Sequence, residues 1–88
     1  MYKIKFDDRV IRKDSKRIPG KFWIKILYKI KTSLTDNPLF HSKPLKGNLK
    51  GLYCLRAGDY RIIFNLNRKK KSVLVLKVGH RSEIYKDL

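Results

Sequence analysis

The fold is decided by residues 52–64, which read LYCLRAGDYRIIF. Apolar side chains alternate with other residues on both sides of Gly58-Asp59, as in half-buried strands. A two-residue loop that begins with glycine is a favoured hairpin turn, because glycine readily adopts a positive φ. We therefore predict two antiparallel strands, over roughly residues 52–56 and 60–66.

This turn also sets the pairing register of the hairpin. It places Arg56 directly opposite Arg61 and gathers an apolar face from six side chains: Tyr53, Leu55, Tyr60, Ile62, Phe64 and Leu66. A slip of one residue would mix the two faces, so the pattern supports this register. Adjacent guanidinium groups repel each other, but their planar forks suit phosphate oxygens. We interpret the pair as a phosphate site, with two solvated arginines as the alternative.

The remaining elements follow from alternation, helical spacing and turn residues. They are a strand over residues 1–6, a helix from Asp7 or Asp8 to about Arg17, a second helix between Pro19-Gly20 and Asp36-Asn37-Pro38, an irregular stretch over 39–50, and a strand over 72–79. The order β-α-α-β-β-β predicts an α+β fold with two N-terminal helices packed on a mostly antiparallel four-stranded sheet. A chain of this length forms one domain, residues 1–88.

The charge balance is the strongest compositional feature. The chain has 23 Lys and Arg against 7 Asp and Glu, a formal net charge of +16. The basic residues are spread along the whole sequence, so the folded body itself attracts polyanions, with nucleic acid as the first expectation. A highly soluble surface, a membrane surface or another acidic partner are the alternatives.

Several function classes are not expected. A single cysteine, Cys54, excludes an internal disulfide and a cysteine-based zinc site. Two histidines and one cysteine, scattered along the sequence, do not form a metal site, and we expect no cofactor. The sequence shows neither a secretory leader nor an apolar run of 18 residues. We therefore expect a cytoplasmic protein that does not associate with membranes.

The end of the last strand carries the residue types that RNA cleavage needs. Gly79, His80, Arg81 and Tyr85 lie within seven residues of each other. Cleavage without a metal requires a base for the 2′-hydroxyl proton, an acid for the leaving 5′-oxygen and fixed positive charge around the phosphorane. Taken alone, His80 and Tyr85 could equally be structural.

Three segments in combination resemble the RelE/ParE toxin superfamily. They are residues 43–47 (KPLKG), residues 51–64 (GLYCLRAGDYRIIF) and residues 78–81 (VGHR), followed by Tyr85. The resemblance spans roughly residues 43–85. It implies the fold described above and a toxin of a type II toxin–antitoxin system. RelE-like members are endoribonucleases that cut mRNA in the ribosomal A site without a metal.

The resemblance also implies roles for individual residues. Arg61 corresponds to an arginine that contacts phosphate and stabilises the transition state, and Arg81 corresponds to a second essential arginine. Tyr85 corresponds to the C-terminal aromatic residue that orients or protonates the RNA. Arg56 lies on the same sheet face as Arg61 and is a further expected contact.

This sequence departs from the resemblance at one strand. The best-known mRNA-cleaving members carry lysines where this chain has Leu52 and Cys54. We expect His80 to take the proton-transfer role, with His41 as the second candidate. The missing charge would come from two lysines of the irregular stretch that bind RNA, Lys46 and Lys50.

Two other functions remain open. ParE-like members inhibit DNA gyrase without nuclease chemistry, and a plain RNA-binding module would need no catalytic residues. The resemblance implies an acidic antitoxin protein as partner, beside mRNA and the ribosome. DNA would be contacted only indirectly, through the complex with the antitoxin.

Overall fold

A computed structural model describes residues 1–86 and contains five strands. They are β1 (Lys3–Phe6), β2 (Ser42–Pro44), β3 (Leu52–Ala57), β4 (Tyr60–Asn67) and β5 (Ser72–His80). The strands form one sheet in the order β1-β5-β4-β3-β2. β1 runs parallel to β5, and all other neighbours are antiparallel. The α+β class and the mostly antiparallel sheet are confirmed.

The prediction of four strands is wrong, because the irregular stretch contains β2. This strand has only three residues and ends in Pro44. It lies at the edge of the sheet, where a proline without an N–H is tolerated. Ser42–Pro44 pairs with β3 so that Lys43 lies opposite Cys54. Three residues are too few to show a periodic pattern, which is why the sequence did not reveal the strand.

Two helical regions precede β2, as predicted. The Asp7 carboxylate accepts a hydrogen bond from the Arg9 N–H at 2.9 Å, and this bond is the main cause that lowers the pKa of Asp7. A π-helical turn (Val10–Asp14) then leads into the short helix α1 (Ser15–Arg17). The longer helix α2 spans Gly20–Leu34. Within residues 1–86, no helix is long and apolar enough to cross a membrane.

The helices cover one face of the sheet, and the hydrophobic core lies between the helices and this face. Helix α2 contributes side chains four residues apart, Ile26, Ile30 and Leu34, which are almost completely buried. They pack with the apolar face of the β3–β4 hairpin in one cluster. Because strand side chains alternate between faces, Arg56 and Arg61 lie on the opposite face of the sheet.

A bulge in β5 decides which face the end of this strand presents. Leu76 is an extra residue in the pairing with β4, and such an insertion reverses the faces of the side chains that follow it. Val78 is buried and His80 therefore also lies on the helix side. The Val78 N–H donates to Asp14 Oδ2 at 2.9 Å, which ties the first helical region to this strand.

Candidate functional site

The hairpin register that the sequence predicts is confirmed. Gly58 has a φ of +62°, which a glycine at the first position of the turn accommodates without strain. Arg56 pairs directly with Arg61, and the neighbouring positions pair as expected. The two guanidinium-bearing side chains therefore leave the sheet on the same face.

A cavity of about 330 Å³ lies beside this arginine pair. It is lined by eight residues from β2, β3, β4 and the segments on both sides of β2 and after β5: His41, Lys43, Pro44, Leu45, Cys54, Arg56, Arg61 and Tyr85. Among these residues are three cations, one imidazole, one phenol and one thiol, and no carboxylate. The arrangement is suited to bind an anion and to exchange protons with it. We refer to it below as the arginine cavity.

Arg61 is the best-fixed cation of the arginine cavity. Its Nη1 donates to the carbonyl oxygens of Gly58 at 2.9 Å and Tyr60 at 3.0 Å. These bonds use only one nitrogen of the guanidinium, so the N–H groups of the other two can point at a ligand. Arg56 is exposed. The pair thus combines one anchored and one adaptable guanidinium.

Tyr85 lies at the same cavity, although it is 24 residues from Arg61 in the sequence. Partial burial raises the pKa of its hydroxyl above the ordinary value of a tyrosine. A hydrogen bond with the Cys54 thiol also raises this pKa, while the positive charge of Arg61 lowers it. The phenol therefore keeps its proton at neutral pH and is available as a proton donor.

The structure does not bring His80 to the arginine cavity. Its ring lies edge-on to the ring of Tyr60, with centroids 5.7 Å apart, on the helix side of the sheet. There it lines a second cavity of about 620 Å³ next to α2, and Arg56 lines the edge of both cavities. His80 Nδ1 accepts the N–H of Ser82 at 3.1 Å and lies 2.8 Å from the Ser82 hydroxyl. These bonds shape the turn that leads to Tyr85.

Arg81 lies at the hairpin turn, close to the anchoring contacts of Arg61. Its backbone N–H donates to the Asp59 carbonyl at 2.8 Å, and its Nε lies 3.8 Å from Asp59 Oδ1. Both side chains of this ion pair are exposed, so the pair contributes little to stability. Arg61 bonds to Gly58 and Tyr60 on either side of Asp59. The two arginines therefore contact the same turn.

The lysine of the loop region that reaches the arginine cavity is Lys43. Lys46 and Lys50 instead flank a 3₁₀ turn (Gly47–Leu49), are exposed and are not among the residues that line the cavity. Lys43 lies there because it pairs with Cys54 across β2 and β3. Only the pairing of the short edge strand could have revealed this role.

Comparison with known proteins shows the family. The sequence model of the ParE toxin of type II toxin–antitoxin systems, parDE, matches residues 4–85. The chain belongs to the RelE/ParE toxin superfamily. This toxin is 29% identical over 75 residues to Toxin RelG of Mycobacterium tuberculosis, covering 85% of this chain and 86% of that protein. It is 30% identical over 74 residues to Toxin RelE of the same organism, covering 84% and 76%.

A solved structure supports the same assignment. The toxin superposes with a TM-score of 0.84 on a chain of the RelBE2 toxin–antitoxin complex from Mycobacterium tuberculosis, at 28% identity. The match covers 91% of this chain and 98% of that chain. The toxin thus shares its fold, over most of its length, with a chain of a toxin–antitoxin complex.

Proposed function

We propose that this toxin is an endoribonuclease that cleaves mRNA on the ribosome without a metal. The observation that supports the proposal is the arginine cavity, which holds Arg56, Arg61 and Tyr85 on one face of a rigid sheet. A phosphodiester in this cavity would meet two guanidinium groups and a protonated phenol. RNA cleavage needs fixed positive charge around the reacting phosphate and a proton donor for the leaving oxygen.

Each residue has a defined role in the proposal. Arg61, held by the turn, stabilises the charge that develops on the phosphorane, and Arg56 binds the same phosphate from the neighbouring strand. Tyr85 donates its proton to the leaving 5′-oxygen. Arg81 binds the RNA beside the scissile phosphate from the far side of the turn. His80 positions Tyr85 by closing the turn between them.

A second candidate function is inhibition of DNA gyrase. The family description that matches residues 4–85 names ParE toxins, which supports this alternative. The arginine cavity favours the nuclease, because binding to a protein target requires no proton donor beside two arginines. A plain RNA-binding module would not require this proton donor either.

Cell-free translation with a primer-extension readout tests the proposal. The wild type should produce discrete cuts in the mRNA, and Arg61→Ala and Arg81→Ala should remove or strongly weaken them. Lys69→Gln, an exposed lysine in the turn between β4 and β5, is the control for a simple loss of charge and should still cut. Intact mRNA together with gyrase-dependent DNA breaks would instead establish the second function.

We further propose that an acidic antitoxin partners this toxin in the cytoplasm, where mRNA and ribosomes are found. The similarity to the toxin–antitoxin complex RelBE2 and the net charge of +16 support this partner. Opposite charges accelerate association and fix its orientation. Co-expression with the product of an adjacent gene should relieve growth arrest, and an adjacent gene without an acidic product would contradict the proposal.

A further inference from the structure

The arginine cavity contains an imidazole that the mechanism above does not use. His41 and His80 are the two histidines of the chain, and they lie on different cavities. Within residues 1–86, no hydrogen bond engages a ring nitrogen of His41, whereas His80 Nδ1 is occupied by Ser82. The histidine with available nitrogens is therefore the one beside the arginine pair.

The local backbone holds His41 in place on both sides. The Phe40 N–H donates to the Asn37 carbonyl at 3.1 Å, and the Ser42 hydroxyl donates to the Pro38 carbonyl at 2.7 Å. Ser42 also begins β2 and pairs with β3. These bonds fix the backbone immediately before and after the imidazole, although the residue lies in a connecting segment.

A neighbouring aromatic ring contacts the imidazole. The Phe40 and His41 rings meet edge to face, at 90° and with centroids 4.5 Å apart. Phe40 is 71% exposed, so its burial contributes little to the core. A contact of this kind contributes about 0.5–1.5 kcal/mol beyond burial of area. The contact favours the observed orientation of the imidazole, which lies at the arginine cavity.

We propose that His41 is the general base that takes the proton of the RNA 2′-hydroxyl in this cavity. The inference rests on the proposed nuclease function and adds a catalytic residue to it. The charged and titratable groups that share the cavity with His41 come from every neighbouring element: Lys43 of β2, Cys54 and Arg56 of β3, Arg61 of β4, and Tyr85 after β5. None of them is a carboxylate, and the lysine and the arginines have no acceptor atom, so the imidazole offers the ring nitrogen that can accept the proton.

The proton transfers balance as a transesterification. The 2′-oxygen forms a bond to phosphorus while its proton moves to His41. The bond between phosphorus and the 5′-oxygen breaks, and Tyr85 gives its proton to that oxygen. The products are a 2′,3′-cyclic phosphate and a 5′-hydroxyl. His41 then loses its proton to solvent and Tyr85 regains one, so no water or other co-reactant is consumed.

The test compares the two histidines under single-turnover conditions on ribosome-bound mRNA. Asparagine places an oxygen near the position of Nδ1, so His41→Asn and His80→Asn are matched changes. We expect His41→Asn to cleave about 10²–10⁴-fold more slowly. The wild-type rate should fall on acidification, because a protonated imidazole cannot accept the proton of the 2′-hydroxyl. This fall should disappear in His41→Asn and persist in His80→Asn.

Chemical rescue gives a second measurement that a structural role would not produce. His41→Ala leaves room for a free imidazole, and added imidazole should restore part of the cleavage rate. The inference alone would be overturned if His41→Asn cleaved at the wild-type rate with the wild-type pH dependence, or if imidazole did not restore cleavage by His41→Ala. Absence of RNA cleavage by the wild type would overturn the proposed function and this inference together.

Discussion

Replacement of Arg56 by glutamine should stabilise the fold while it weakens the activity. Arg56 lies directly opposite Arg61, and two like charges face each other across the strands. At a separation of about 7 Å in water, Coulomb's law gives a repulsion of about 0.6 kcal/mol. For a domain of this size, relief of this repulsion should raise the melting temperature by about 2–5 °C.

Salt separates this electrostatic effect from any change in packing. The Debye length is about 30 Å at 0.01 M salt and about 3 Å at 1 M, so the gain from Arg56→Gln should largely vanish at high salt. Lys50→Gln removes the same charge from the exposed loop before β3 and is the control. Its melting temperature should change less than that of Arg56→Gln at low salt.

The same variant should lose cleavage activity, because the second guanidinium of the arginine cavity is gone. Loss of one preorganised donor costs about 10²–10³-fold in rate at a fully organised site. Since Arg56 is exposed, we expect a loss at the lower end of that range, measured by single-turnover cleavage. Three results would each refute this explanation of the arginine pair. They are a lower melting temperature of Arg56→Gln, a gain in its melting temperature that does not depend on salt, and cleavage by Arg56→Gln at the wild-type rate.

Three further predictions address the elements that carry the site. Asp14→Ala should lower the free energy of unfolding by about 1–3 kcal/mol in denaturant titrations, because the Val78 N–H loses its acceptor; an unchanged value would contradict this role. Gly58→Ala should lower the free energy of unfolding by about 1–2 kcal/mol, because φ is +62°. Gly20→Ala in α2 should not destabilise the protein, because an added Cβ meets no atom within 4 Å there. Equal melting temperatures of the two variants would contradict the need for glycine in the turn. Tyr85→Phe should slow cleavage about 10²–10⁴-fold and remove a tyrosine that titrates above its ordinary pKa in absorbance at alkaline pH; cleavage at the wild-type rate would exclude Tyr85 as the acid.

The part of the site that sequence predicts is the part that a local turn determines. Gly58 and the apolar alternation around it fix the register, and the register alone places Arg56 opposite Arg61. The location of Lys43 depends instead on an edge strand of three residues, whose pairing with β3 comes from tertiary contacts. Such a strand has no periodic pattern of its own. The sequence therefore pointed to Lys46 and Lys50 of the same region as the residues that bind RNA.

The face of the sheet on which His80 lies is a second feature that the sequence alone does not predict. The predicted last strand ends at residue 79, whereas the observed β5 includes His80 and contains a bulge at Leu76. Without the bulge, strict alternation would place His80 on the face of the arginine pair. A single extra residue reverses that parity, and nothing in the composition of the strand marks its position. The bulge therefore keeps His80 away from the arginine cavity.

The most direct test of the account is to map where RNA binds. Short RNA with 2′-O-methyl groups lacks the nucleophile, so it should bind without being cut, and backbone amide shifts can be followed by NMR during its titration. We expect the largest changes at residues 41–45 and around Arg56, Arg61 and Tyr85. Changes concentrated instead along α2, on the opposite face of the sheet, would contradict this expectation.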